Sequence, residues 1–425
     1  MIPIVVVPFA SEIHGKEYYV GLYDIIKNHI ATYGVEIHKE VITDPEEAIR
    51  VGKKYSGFLP IAIILTGGTS SLIENFSDSG NFERIIMFSH SQHNSLASAV
   101  SARSKMERKG IMSLVYHCSN INSIECMLII RDMMNVVRSV TTVIGSRIGL
   151  VVDRDTKNEI EETFESRFNS SIHIKSFEQV LEEMNRCSES DINEVKKSIM
   201  KVIEVEGPSE YMDEIARLYL VLKNFVVNDK LDAIAIDCFP FILKKGVTPC
   251  IPLSLLNSEG IIAGCEADLP ALLGLMLARL LTGRSGWIAN VVDVSSNRCV
   301  LAHCTIALDI AKNVRGVTHY ESGKPYGVTG EYIGETVTIL SIDRDFTVAT
   351  IATANVVASG ALSYSACRTQ MILEFGHSTE YLPNIVPNNH HIVMQGNLSK
   401  KLTEALYLMG FDVIEYREYA GYSYA

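Results

Sequence analysis

The chain has 425 residues, 47% of them hydrophobic, with 38 Lys and Arg against 50 Asp and Glu and a formal net charge of −12. That length exceeds what one hydrophobic core organises and implies two or three domains. The acidic balance works against a polyanionic partner, so no nucleic acid is expected, and no window holds the roughly 18 uncharged apolar residues of a membrane helix, so no membrane is expected either.

The opening run MIPIVVVPFA has no basic segment and contains Pro3 and Pro8, so it reads as a strand rather than a signal peptide. The nine cysteines form no CxxC. Without an export signal they are expected to be reduced, small, buried residues in a cytoplasmic protein. Strand-like runs follow at Ile2–Val7, Val35–Val41, Pro60–Gly68, Arg84–His90 and Ile111–Cys118, with helix-like stretches between them, including Asp44–Lys54. Short Val/Ile strands alternating with helices predict a parallel sheet covered on both faces. In the loop LTGGTSS the glycines suit a tight turn, and Thr69 is placed to cap the next helix.

The pattern restarts at RIGLVVD (Arg147–Asp153) and runs through SIHIKS, two helical stretches (191–203 and 209–228), DAIAIDCFPF and GIIAGCEADLP. From Trp287 the chain turns rich in Val, Ile and Thr with little helical period, as in Trp287–Ala307 and Glu335–Val357. Residues 397–416 read as one capped helix and one strand. The expected architecture is α/β: two N-terminal Rossmann-like parallel-sheet domains, residues 1–145 and 146–287, followed by a mostly β, barrel-like C-terminal domain, residues 288–425, with a terminal helix.

Glu266 and Asp268 fall between the strand GIIAGC and an apolar helix with Pro270 in its first turn. Asp268 is placed to cap that helix. Glu266, at the carboxyl end of a strand and beside a helix amino terminus, points to a crevice where ligands of such sheets bind. His303 lies in the apolar run LAHCTIA, Glu321 precedes a glycine turn in THYESG, and His390 and His391 are adjacent in NNHHIVMQGN. In a strand those two histidines face opposite sides, one towards a site and one into packing.

Taken in order over Cys238–Leu398, the segments CFPF, TPCIPLSLLNSEGIIAGCEADLPALLGLMLARLLTG, ANVVDV, AHCTIA, HYESG, RTQ and NHHIVMQGNL resemble the L-fucose isomerase / L-arabinose isomerase superfamily, and specifically its fucose isomerase-related branch. IILTGGTSSLI carries the resemblance into the N-terminal part. It implies a metal-dependent ketol isomerase that interconverts an aldose and a ketose through a cis-enediol. It implies manganese or another divalent metal, a small fucose- or arabinose-like sugar as substrate, and a homo-oligomer, trimer or hexamer. By position it makes Glu266 a metal ligand and acid/base, puts Asn290 where the second carboxylate stands, and makes His303 and His391 the ligand histidines.

Asn290 can lend a carbonyl oxygen to a metal but cannot exchange a proton near neutrality. The second proton carrier is therefore expected at Glu321 or Asp293, Glu321 being preferred because HYESG is part of the pattern that carries the resemblance; strand alternation from Asn290 sets Asp293 on the opposite face. The alternatives are a metal-dependent lyase or epimerase on a related sugar, or a non-catalytic sugar-binding homologue.

Overall fold

The computed structural model describes residues 2–416. Residue 1 and residues 417–425, which belong to the first and third expected domains, lie outside the described residues. The chain forms two compact units. One runs to Ile144 and includes Glu404–Gly410; the other holds Gly145–Thr403 and the segment from Phe411.

The first unit is built on a five-stranded parallel sheet in the spatial order Glu36–Ile37, Ile4–Phe9, Leu59–Ile64, Arg84–His90, Met112–Cys118. Val5, Val6, Val7 and Ile61 to Ile64 are all fully buried, as inner strands covered by helices on both faces must be. The run expected over residues 35–41 yields only the two-residue edge strand Glu36–Ile37, because Lys39 and Glu40 face solvent. Asp44 starts the helix Pro45–Lys54 by accepting from the backbone N–H of Glu46 and Glu47. Thr69 does not cap its helix. Its hydroxyl donates to Thr66 O within the loop and pairs with Ser98 Oγ of the helix Ser95–Arg108.

The expectation that every cysteine is reduced is corrected at one place. Cys118, at the end of its strand, and Cys126, in the first turn of the helix Ile124–Val143, form a disulfide with Cα atoms 5.3 Å apart. The Asn120–Ser123 turn doubles the chain back and so joins residues only 8 apart. Closing so short a loop is worth about 2–3 kcal/mol by chain entropy. Reductant should lower unfolding stability by about that amount, read as a drop in the urea midpoint that Cys118→Ser reproduces.

The second unit begins with a four-stranded parallel sheet, in the order Ile262–Cys265, Ala233–Ile236, Arg147–Val152, Ser171–Ser176. Ile236 is in register with both Cys265 and Val151. The carboxyl ends of three strands are thereby level, and the residues that follow them, Asp153, Asp237 and Glu266, gather at one rim. The same unit holds a barrel. Trp287–Ser295, Arg298–His303, Thr369–Glu374, Val348–Gly360, Thr336–Ile342 and His390–Gln395 pair antiparallel in a closed ring. Asp412–Glu415 adds to it in parallel. Closure leaves the ring strands without free edges.

The helix Leu269–Thr282 is apolar on every face up to Arg279 in its last turn and packs on the His390–Gln395 strand. Their approach is set by Gly274, where an added Cβ would come within 2.4 Å of Ile392 Cγ1. Gly274→Ala must push helix and strand apart, and should destabilise the protein by about 1–3 kcal/mol in chemical denaturation. No helix among the described residues is long and apolar enough to cross a membrane.

Candidate functional site

Glu266 is presented by an uncommon piece of backbone. It and Ala267 both adopt left-handed conformations, with φ of 58° and 48°, a region that side chains with a Cβ rarely occupy. The turn is pinned by Ala267 N–H donating to Ile236 O at 3.0 Å and Asp268 N–H to Cys265 O at 3.3 Å. Asp268 then caps the Leu269–Thr282 helix, accepting from Ala271 N–H at 2.8 Å. Its other oxygen accepts from His390 Nδ1 at 2.7 Å. One carboxylate both starts the helix and orients the imidazole.

His303 ends its barrel strand and His390 begins another. Each places Nε2 3.6 Å from Glu266 Oε1, and the donor atoms of the three residues all lie within 4.8 Å of one another. A separation of 3.6 Å is too long for a hydrogen bond. It is close to the spacing of about 3.0–3.4 Å between neighbouring ligands held about 2.1 Å from one ion. His390 Nε2 is buried and has no hydrogen-bond partner among the described residues, so it is the ring nitrogen left to face such an ion. The Asp268–His390 contact is the outer partner that metal-binding histidines use to fix ring and tautomer. On these grounds the donor set fits a divalent metal. Asp268→Asn should weaken metal binding by about 10- to 100-fold, measured by competition with a chelator, while Asn keeps the helix capped.

Charge supports the same grouping. Burial by itself would raise the pKa of Glu266, but the two imidazoles outweigh it and hold the carboxyl well below the usual range. Burial would lower that of His390, but Asp268 and Glu266 together push it up to about 10. Two carboxylates thus hold a proton on His390 that a metal must displace.

Glu266 opens on a cavity of about 430 Å³ lined also by Asp153, Arg154, Asp237, Asp268 and Arg344. Arg154 is committed to a paired contact with Glu161. Asp237 follows the strand Ala233–Ile236 and stands at the N-cap of the helix Cys238–Lys245, yet its side chain makes no capping bond. Burial and then the charge of Glu266 raise its pKa. Sequence reasoning missed Asp237. The signal was present in AIAIDC, where an acid ends a strand just as Glu266 does.

The other expected residues fall differently. His390, not His391, is brought to Glu266 and His303. His391 is buried, bonds through Nδ1 to Asn389 O at 2.9 Å, and lines a separate cavity with Asp293 and Pro387. Burial pushes its pKa down to about 4. Alternation does part the two rings as expected; which one faces the site is decided by Asp268, a contact 122 residues away in sequence. Asn290 sits directly across from His390 in register, but its Oδ1 accepts from Asn389 Nδ2 at 2.6 Å.

Asp293 corrects the alternation argument. The strand bulges after Val291, so that Val291 pairs with Leu301 and Asp293 with Val300. The extra residue, Val292, returns Asp293 to the face of Asn290, where it is exposed. Glu321 lies in an exposed turn and is not among the residues lining the Glu266 cavity.

No protein-family model matches the chain. It is similar to sulfoquinovose isomerases from Priestia aryabhattai and Priestia megaterium, each 26% identical over 149 residues, which is 34% of this chain and 33% of those proteins. The sulfoquinovose isomerase of Alkalicoccus urumqiensis is 27% identical over 128 residues, 29% of each chain. The similarity thus spans about a third of the length of the curated relatives it matches.

Proposed function

We propose that the protein is a metal-dependent aldose–ketose isomerase. The carrying observation is the Glu266–His303–His390 cluster, whose carboxylate lines a cavity that also presents Asp237. The similarity to sulfoquinovose isomerases supports a sugar as substrate, as does the resemblance to the fucose and arabinose isomerases. In this reading Glu266, His303 and His390 hold a divalent ion, manganese by the resemblance, which supplies polarisation of the sugar's oxygens. The homo-oligomer that the resemblance implies belongs to the same proposal.

The reaction moves one proton from C2 to C1 and another from O2 to O1, so it consumes neither oxidant nor water. Asp237 is the group for the carbon proton. It faces the cavity, is not used as a helix cap, and carries a raised pKa that favours accepting and returning a proton. Glu266, drawn towards the two imidazoles, serves as a ligand. Asp268 orients His390. Asn290 has its carbonyl engaged by Asn389 and supplies no proton.

The test is an assay of metal-depleted and manganese-reloaded protein against a panel of aldoses that includes sulfoquinovose, L-fucose and L-arabinose, run in heavy water. Ketose formation with solvent deuterium entering the product, restored by manganese, supports the proposal. If reloaded protein turns over no aldose and exchanges no carbon-bound hydrogen, the isomerase reading fails.

A further inference from the structure

Glu266 belongs to a second donor cluster. Its carboxylate and the thiols of Cys238 and Cys265 also lie within 4.8 Å of one another. Cys265 ends the strand Ile262–Cys265 immediately before Glu266, and Cys238 is the first residue of the helix after the neighbouring parallel strand. The Cys265 thiol donates to Cys238 Sγ at 3.2 Å. Both residues are almost wholly buried, at 2% and 3% exposure, whereas the side chain of Glu266 is 31% exposed to the cavity. The pair is therefore shut off from solvent, and the carboxylate beside it faces the cavity.

We propose that Cys238, Cys265 and Glu266 form a binding site for a thiophilic divalent cation, zinc or cadmium, distinct from the imidazole cluster and sharing only Glu266 with it. Two thiolates at about 2.3 Å and a carboxylate oxygen at about 2.0–2.2 Å are the donors such ions take, with the fourth position left to a water from the cavity. Tetrahedral coordination at those distances sets the sulfurs about 3.8 Å apart, so the pair must open by only about half an ångström. Soft sulfur donors favour these ions over manganese, which prefers oxygen and imidazole. Glu266 is then the point of competition. An ion on the thiols draws on the carboxylate that the imidazole cluster needs, and thiophilic metals become inhibitors by a route separate from displacement at the histidines.

The site does not depend on the proposed reaction, and the experiment separates the two. Full-length protein freed of metal is titrated with cadmium while the ultraviolet charge-transfer absorption of cadmium–thiolate bonds is followed. The band should saturate at one equivalent in the parent and persist in a His303→Ala/His390→Ala variant. It should be lost in Cys238→Ser/Cys265→Ser. A band absent from the parent, or unchanged in the double cysteine variant, overturns the site. Because serine in place of a buried cysteine can unfold the chain, cadmium NMR of the parent supplies an independent count. A shift characteristic of two thiolate ligands supports the site, and any other number overturns it.

Discussion

Asp237→Asn should lower turnover by a factor on the order of 10²–10⁴, the range lost with a positioned general acid/base, while the affinity for manganese stays within about twofold of the parent. Asparagine keeps the size and the N-cap position of Asp237 but cannot take a proton at neutral pH. The loss should fall on kcat more than on KM, because the step removed is proton transfer rather than binding. Solvent-deuterium exchange at the sugar carbon should fall with it. Full activity in Asp237→Asn would remove Asp237 from the proton path. Glu321→Gln, which alters an exposed turn, should behave like the parent.

The second large effect separates two adjacent residues. His390→Ala removes a proposed ligand and leaves Asp268 without its imidazole partner. It should reduce manganese affinity by more than about 100-fold, beyond what loss of an outer partner produces. His391→Ala removes a buried ring hydrogen-bonded only to Asn389 O among the described residues. It should leave metal affinity near the parent value and instead lower stability by about 1–3 kcal/mol through lost packing. Isothermal titration with manganese and a denaturant curve on each variant give both numbers. Equal losses of metal affinity from the two variants would refute the arrangement.

What the sequence made legible was whatever local pattern controls. The parallel sheets followed from Val/Ile runs between helices, and the barrel from the change to Val-, Ile- and Thr-rich runs with little helical period after Trp287. Asp268 as a cap and Glu266 at a strand end could be read because each depends on the few residues around it. His390 could not be told from His391, since the deciding partner, Asp268, comes from another element. The place of Asp293 was misread because a bulge breaks the period of two, and one inserted valine leaves no mark in composition. Asp237 was overlooked although it obeys the same strand-end logic as Glu266. The Cys118–Cys126 disulfide was hidden because the argument from compartment, not geometry, was applied to all the cysteines.

Ring closure has a consequence for how this chain can tolerate change. The His390–Gln395 strand is hydrogen-bonded on both sides, to Trp287–Ser295 and to Thr336–Ile342, so it cannot slide against one neighbour without breaking pairs with the other. A one-residue slip would turn every side chain of that strand to the opposite face. In most strands that would abolish a ligand outright. Here a deletion near Asn388 that draws the strand forward by one residue would bring His391 to the position His390 leaves and still offer an imidazole to Asp268, whereas an insertion would bring Asn389 there and offer none. The paired histidines make the arrangement tolerant of an error of count in one direction and not in the other.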